Sequence, residues 1–497
     1  MIYKYLAVKY LFEYYCSMTQ LSLPQDLKGV RLHMVGIKGT GMAALAELLS
    51  ARGAVLTGSD RPEVFYTDSI LERLGITPFV EFSPDNIPSD TAYVIHSSAY
   101  NRDTNPELVS AREREIPLLL YTEALGQLSR LAYSCGIAGV HGKTTTTAMA
   151  GTLVKALGLP ASVLAGSVVS SFGDRSTMIA GNRYFIAETC EYQRHFMSFH
   201  PKKIILTSVE SDHQDYYPTY ESILSAFMQY IDLLPQFGEL IYCADDPGAC
   251  EAAKMVFSSR PDIVFTSYGE KANTDYRLTI KGVKQERLVF TLKGFGGEFK
   301  LRVPGRHNAR NAAAAIALAA SLVIEERGEL TISDIGKMRE ALESFGGTKR
   351  RTEIIGEENG VLVIDDYGHH PTAIKTTLAG LREFYPDRRL VVDFMSHTYT
   401  RTAALLDEFA SSFRDADEVI LHKIYPSERE QYDGLVTGET LFEAVRKKHR
   451  HVRYFEEIMD ARSYLEEFLK KGDVFITVGA GDNWKLGPAI LEDRRKT

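Results

Sequence analysis

Short apolar runs alternate with segments of helical period along almost all of the 497-residue chain, and several of the runs end at glycine-rich turns. A chain patterned in this way buries its apolar runs as parallel strands and covers them with the intervening helices. The first such unit is VRLHMVGI (30–37), a glycine turn, then MAALAELLSARG as a helix closed by Gly53. AVLTGSD follows as a strand ending in Asp60. A second unit starts at YSCGIAGV (133–140) and passes through GVHGKTTTT (139–147) into a helix that reaches Gly158. A third series begins with VLVIDDYGHHP and continues through RLVVDFMSHTYTRT, DEVILHKIYPS and DVFITVGAGD. Between about 275 and 303, YRLTIKGV, RLVFTLKG and EFKLRVPG alternate with period two instead, which predicts antiparallel hairpins attached to the middle unit.

A chain of this length accommodates about three domains. Boundaries near 132 and 346 divide it into 28–132, 133–346 and 347–497, with 1–27 as an N-terminal extension. The first residues, MIYKYLAVKYLFEYYCSM, are apolar and aromatic, but Lys4, Lys9 and Glu13 interrupt them. They lack the core of a signal peptide and the length of a bilayer span. Translation from Met18, leaving residues 1–17 outside the fold, is a hypothesis that the mass of the native protein decides. A net charge of −8 implies neither a nucleic-acid footprint nor a polybasic membrane patch. Five scattered cysteines, odd in number and without a CxxC, favour a reducing cytoplasm and count against a disulfide framework and a zinc site.

Two glycine loops carry chemistry. In GIKGTGM, Gly36, Gly39 and Gly41 follow a strand and open a helix, where outward N–H groups and the helix dipole favour an anion. Asp60 lies about 20 residues on, as a ribose-binding carboxylate does in a dinucleotide fold. The spacing is GxxGxG rather than GxGxxG, so the loop reads as a phosphate or pyrophosphate site, or a tight turn, without naming the nucleotide. GVHGKTTTT is sharper. Gly142-Lys143-Thr144, after an apolar strand and at a helix N-terminus, supplies the backbone cradle, phosphate lysine and metal-binding hydroxyl of a P-loop for ATP. Gly139, His141 and Thr145 flank that core, and Ile137 stands where the strict pattern has glycine. A β-branched run opens a helix poorly, so the threonines are expected to place hydroxyls around phosphate and metal.

A P-loop needs a carboxylate for Mg²⁺ on a neighbouring strand. YFIAETCEY ends in Glu188, a metal ligand or a plain strand-end acid; KKIILTSVESDHQD repeats the form and reaches His213, a ligand or a solvated histidine. His307, Asn308 and Asn311 open an alanine-rich helix, where they cap the helix or read a purine edge. KRR (349–351) is a linker's charge or an arginine clamp on a phosphate.

Together these residues resemble the Mur ligase family, the ATP-dependent amide ligases of peptidoglycan precursor synthesis, over about residues 28–485. HMVGIKGTGM, TGSD, IHSSA, AGVHGKTTTT, AETCE, ESDHQDYY, PGRHNARN, FGGTKRR, DDYGHHPTAI, SHTYTRT and VGAGDNW carry the likeness. It is closest to the branch that adds L-alanine to UDP-N-acetylmuramate. Other branches carry a lysine, modified to a carbamate, about 14 residues beyond the histidine, where this chain has Phe227.

The resemblance implies a three-domain α/β architecture. An N-terminal Rossmann-like domain holds the UDP-sugar, a central P-loop domain with added antiparallel strands holds ATP, and a C-terminal Rossmann-like domain closes over both. UDP-sugar contacts would come from Gly36, Gly39, Thr40, Gly41, Asp60, Ser97 and Ser98. Lys143 and Thr144 would hold phosphates and the first metal, and Glu188 and His213 would complete two Mg²⁺ sites. His307 and Asn308 would read adenine, Arg350 or Arg351 would meet the γ-phosphate, and Asp366 the ribose. His369, His397 and Arg401 would line the L-alanine pocket. The family usually reads PHRYSRT where this chain has SHTYTRT, so Ser396 replaces a proline and Thr398 an arginine; Cys190 stands where an aspartate is common. A cytoplasmic protein, monomer or homodimer, is expected. A recycling ligase that attaches a tripeptide to the same sugar, an NAD-dependent dehydrogenase and a P-loop switch are the alternatives.

Overall fold

The computed structural model describes residues 22–214, 216–426, 430, 434 and 436–496, so residues 1–17 and Met18 lie outside the described residues. Within the expected extension, Leu23 and Leu27 are buried in the main core, and the Tyr93 hydroxyl donates to the Ser22 carbonyl at 2.8 Å. That segment therefore packs on the first sheet.

Four parallel strands form the first sheet: β1 (Arg31–Val35), β2 (Val55–Ser59), β3 (Tyr93–His96) and β4 (Leu118–Leu120), ordered β2-β1-β3-β4. The second sheet contains β5 (Tyr133–Ala138), β6 (Ala161–Val169), β7 (Arg175–Ile179), β8 (Tyr184–Glu188), β9 (Lys203–Leu206), β10 (Glu239–Cys243) and β11 (Val264–Tyr268). Its order is β11-β10-β9-β5-β8-β6-β7, with β5 at the centre. β12 (Leu278–Val283), β13 (Leu288–Leu292) and β14 (Phe295–Leu301) make the antiparallel sheet that the period-two segment predicts.

The last sheet has β15 (Glu353–Glu358), β16 (Val361–Asp366), β17 (Arg389–Phe394), β18 (Glu418–Leu421), β19 (Val452–Tyr454) and β20 (Asp473–Val478), ordered β15-β16-β20-β17-β18-β19. β7 and β15 are antiparallel edges on otherwise parallel sheets, a departure from the all-parallel expectation. β7 follows β6 after a five-residue connection, and β15 is the first arm of a tight hairpin. Asn359 and Gly360, both with positive φ (+49° and +74°), turn β15 into β16, as Asn-Gly does in two-residue hairpins.

The helix expected after the threonine-bearing loop runs Lys143–Ala156, and Gly158 ends it at φ +65°. It packs against the helix Arg306–Arg327, whose alanines allow close approach. Glu47 of the first unit accepts from Thr177 of β7 at 2.5 Å, tying the first sheet to the second. Arg306 and Glu383, 3.1 Å apart, and Ser167 with the Lys349 carbonyl, at 3.0 Å, tie the second sheet to the last. Among the described residues no helix is long and apolar enough to cross a membrane.

Candidate active site

β5 ends in a turn that admits only glycine at two places. A Cβ on Gly139 (φ +128°) would stand 2.1 Å from the Thr207 hydroxyl, and one on Gly142 (φ +80°) 2.6 Å from the Asn311 amide oxygen. Ile137, the departure from the strict pattern, lies inside β5 between Glu188 and Ile205, fully buried, so the missing glycine falls in the strand and not in the turn. Unpaired N–H groups at the start of the following helix favour an anion.

Lys143 folds across this turn. Its Nζ donates to the Gly139 carbonyl at 2.6 Å and to the two Glu191 oxygens at 3.0 and 2.8 Å. Burial opposes the charge on Lys143, but Glu191 outweighs it and holds the amine above its usual value. For Glu191 burial likewise opposes charge, and Lys143 and His213 hold the carboxyl below the usual range. Thr144 donates to Glu188 at 2.7 Å. A hydroxyl in the first turn of the helix and a carboxylate at the end of β8 are hard oxygen donors, and they suit Mg²⁺. The threonine run divides: Thr144 and Thr145 face the cavity, whereas Thr146 and Thr147 are fully buried, with Thr147 bonded to the Lys143 carbonyl. Only half of the run therefore places hydroxyls where phosphate and metal would lie.

His213 (φ +54°) sits 3.6 Å from Glu191 and 3.7 Å from Asp212, not beside Glu188. The expected metal residues thus form two groups, Thr144 with Glu188 and His213 with Glu191.

Lys143, Thr144 and Thr145 line a cavity of about 350 Å³ between the second and last sheets, together with His141, Gly142, His307, Asn308, Asn311, Arg351, Asp366 and His369. Asn311 donates to Asn308 at 3.1 Å and Asn308 to the Pro304 carbonyl at 2.6 Å. Burial pushes the His307 imidazole down to about 4, and its Nδ1 has no hydrogen-bond partner among the described residues. A neutral, buried, unpaired ring nitrogen at a cavity wall is free to meet a base edge.

The two candidate arginines part company. Arg350 binds Asp365 at 3.0 Å and the Gly479 carbonyl at 2.8 Å, so it staples the last sheet; Arg351 stays on the cavity wall, over the Tyr367 ring. Asp366 accepts from Thr352 and Gly368 at 2.7 Å each.

Next to this wall the geometry gathers His369, His397 and Arg401. The two imidazole rings are 5.8 Å apart, and Arg401 lies 3.1 Å from His397 Nδ1. Arg401 also binds Asp212 at 2.9 Å across the domain interface. Burial opposes the charge on Asp212, yet Arg401 above all, with His213, holds its carboxyl well below the usual range. Burial keeps His369 neutral, far below its ordinary value. Sequence reasoning did not assign Asp212; only its place in ESDHQD beside His213 hinted at it. Glu191 was legible only as a second acid of the metal site beside Glu188, not as the partner of Lys143.

A second cavity, about 360 Å³, opens between the first and second sheets and includes Thr40, Gly41, Ser98, Tyr121, Glu188 and Cys190. Cys190 lines both cavities. Gly36, Gly39 and Ser97 shape the turn; a Cβ on Gly36 (φ +84°) would lie 2.6 Å from the Tyr100 ring. Asp60 differs from the expected ribose ligand. It is buried beneath its own loop, accepting from Lys38 N–H at 2.7 Å, Arg61 N–H at 2.9 Å and Tyr100 at 2.7 Å.

Three family models match in chain order: "Mur ligase family, catalytic domain" over residues 31–133, "Mur ligase middle domain" over 137–319 and "Mur ligase, glutamate ligase domain" over 350–481. The chain belongs to the Mur ligase family. This Mur ligase is 57% identical over 470 residues to a UDP-N-acetylmuramate–L-alanine ligase of Treponema pallidum, covering 95% of this chain and 98% of the relative. It is 39% identical over 458 residues to the enzyme of that name from Borreliella burgdorferi, covering 92% and 97%. The crystal structure of UDP-N-acetylmuramate-alanine ligase from Thermotoga maritima superposes with a TM-score of 0.72 at 27% identity, covering 94% of this chain and 99% of that one.

Two departures of this Mur ligase acquire physical content. Phe227, at the position of the lysine of other branches, is fully buried and packs edge-on against Phe196 at 5.6 Å, leaving no room for an ionised side chain. Thr398 takes φ +69° at the start of the short helix Tyr399–Ala404 and donates its N–H to the Tyr425 carbonyl. Arg401 is therefore the guanidinium that SHTYTRT brings to His369 and His397.

Proposed function

We propose that this Mur ligase joins L-alanine to the carboxylate of UDP-N-acetylmuramate, converting ATP to ADP and phosphate, in peptidoglycan precursor synthesis. One observation carries the reading. The phosphate-type loop of the middle domain and Arg351, Asp366 and His369 of the last domain line one cavity, and Cys190 on its wall also lines the cavity that holds Thr40 and Gly41. Identity of 57% to a ligase of this name supports it.

A carboxylate resists attack by an amine because it is anionic and its oxide leaves poorly. Phosphorylation of the sugar carboxylate at the terminal phosphate of ATP gives an acyl phosphate and ADP. The uncharged amine of L-alanine then attacks the acyl carbon, and phosphate departs. Lys143 and Arg351 neutralise the anions that must approach one another. Lys143 reaches phosphate by exchanging part of its bond to Glu191. Thr144 and Glu188 would hold one Mg²⁺, and His213 with Glu191 a second. Bound there, Mg²⁺ neutralises phosphate charge and orients the transferring group. Arg401, anchored by Asp212, receives the alanine carboxylate, with His397 and the neutral His369 beside the amine. The three domains lie within 28–132, 133–346 and 347–497, and the enzyme works in the cytoplasm as a monomer or homodimer.

ADP release, measured over a panel of L-alanine, glycine, L-serine and the tripeptide, tests this. Release is expected with L-alanine and only when the UDP-sugar is also present. Turnover with the tripeptide alone would replace this reading with the recycling ligase, and hydrolysis indifferent to both acceptor and sugar with a P-loop switch.

A further inference from the structure

We propose that His141, Glu210 and His370 form a site for a transition-metal ion of the zinc class, separate from the Mg²⁺ positions at Thr144 and His213. His141 belongs to the P-loop, Glu210 to the segment after β9, and His370 caps the helix Pro371–Phe384 of the last domain. One ligand atom from each lies within 4.8 Å of the others. Glu210 Oε1 contacts His141 Nε2 and stands 3.3 Å from His370 Nδ1, and the two rings are 5.2 Å apart.

One further feature points to a cation. His370 is only 7% exposed, its Nε2 has no hydrogen-bond partner among the described residues, and its Nδ1, 3.3 Å from Glu210, accepts a long Thr372 N–H bond of 3.3 Å that a metal ion would replace. Two imidazoles with one carboxylate suit zinc-class ions, whereas Mg²⁺ prefers oxygen donors. The cysteine spacing that counts against zinc has no bearing on a site built without thiols. An ion here joins two groups of the middle domain to one of the last domain and so fixes the helix Pro371–Phe384 against the P-loop.

The test uses the full chain and Zn²⁺ alone, titrated calorimetrically in the presence of excess Mg²⁺ and no nucleotide. One ion per chain is expected, with affinity in the micromolar range. Glu210→Gln and His370→Asn should each weaken it by about tenfold or more, the scale on which metal sites lose affinity when a supporting group is removed. Cys190→Ser should leave it unchanged. Co²⁺ in place of Zn²⁺ should give visible absorption bands that both variants lose. Circular dichroism identifies any variant that fails to fold, and the remaining one then decides. No binding, displacement by Mg²⁺, or equal affinity in wild type and folded variants overturns the proposal.

Discussion

The turn after β1 and the turn after β5 share one backbone device: a buried strand stops at glycines with positive φ and hands the chain to a helix. Their lysines live in opposite surroundings. Lys38 donates to the carbonyls of Arg61 and Glu63 at 3.0 Å each, and the nearby Asp60 carboxylate is consumed by N–H groups of the same loop and by Tyr100. That first loop is internally satisfied. Lys143 instead spans a cavity wall to Glu191, itself buried and shared with His213. The second loop keeps its charge balance with groups that a bound phosphate can replace. What lies across a glycine turn, more than the turn itself, decides whether it holds a ligand by shape or handles moving charge.

The largest test of this contrast is Lys143→Ala. Removing the cation at a phosphoryl-transfer site should lower ADP-forming turnover by about a thousandfold, measured by coupled ADP release. Affinity for the UDP-sugar, followed by titration, should be unchanged, because Lys143 borders the cavity of the second and last sheets. Loss of sugar binding in this variant breaks the division of labour between the loops. Asp60→Asn probes the other side. It trades one of the acceptor oxygens for an amide that must face a loop N–H or Tyr100, leaving an unsatisfied buried donor worth about 1–3 kcal/mol. UDP-sugar affinity should fall about tenfold, the lower part of that range, with the ATP requirement unaltered. An equal fall in ATP affinity would show the two loops to be one cooperative unit.

Much of this contrast is written locally. The strand, glycine turn and helix at 30–50 and 133–156 follow from apolar runs and glycine placement, and the three antiparallel strands β12–β14 from a change of period. The edge strand β15 had a local signal too, Asn359-Gly360 between β-type runs, which the parallel pattern around it overshadowed. Burial of Thr146 and Thr147 is tertiary: their face is covered only when the Lys143–Ala156 helix meets its neighbours. Arg350 and Arg351 are adjacent and chemically alike, so only the register of β16, which puts Asp365 beside one of them, separates structural clamp from cavity wall. The same limit hid Asp212, whose partner Arg401 lies 189 residues away, and the meeting of His141 and Glu210 with His370. Contacts that cross domains carry no periodicity.

The smallest effect sharpens the comparison by pH. Glu191 has its carboxyl held below the ordinary value of 4.5, so its share of stability is present above 4.5 and is lost as pH falls from there through its folded value. Lys143 is held above its ordinary 10.5, so its share is present below 10.5 and is lost as pH rises past it. Between those limits the pair contributes in full. A protonated Glu191 is nearly isosteric with glutamine, and both leave the Lys143 charge without a countercharge. Glu191→Gln should therefore cost about 1–3 kcal/mol near neutral pH, read as a lower apparent urea midpoint, and the gap from wild type should close as pH drops below 4.5. A gap that persists unchanged in acid would mean that Glu191 acts through shape alone, and the second loop would then be as internally satisfied as the first.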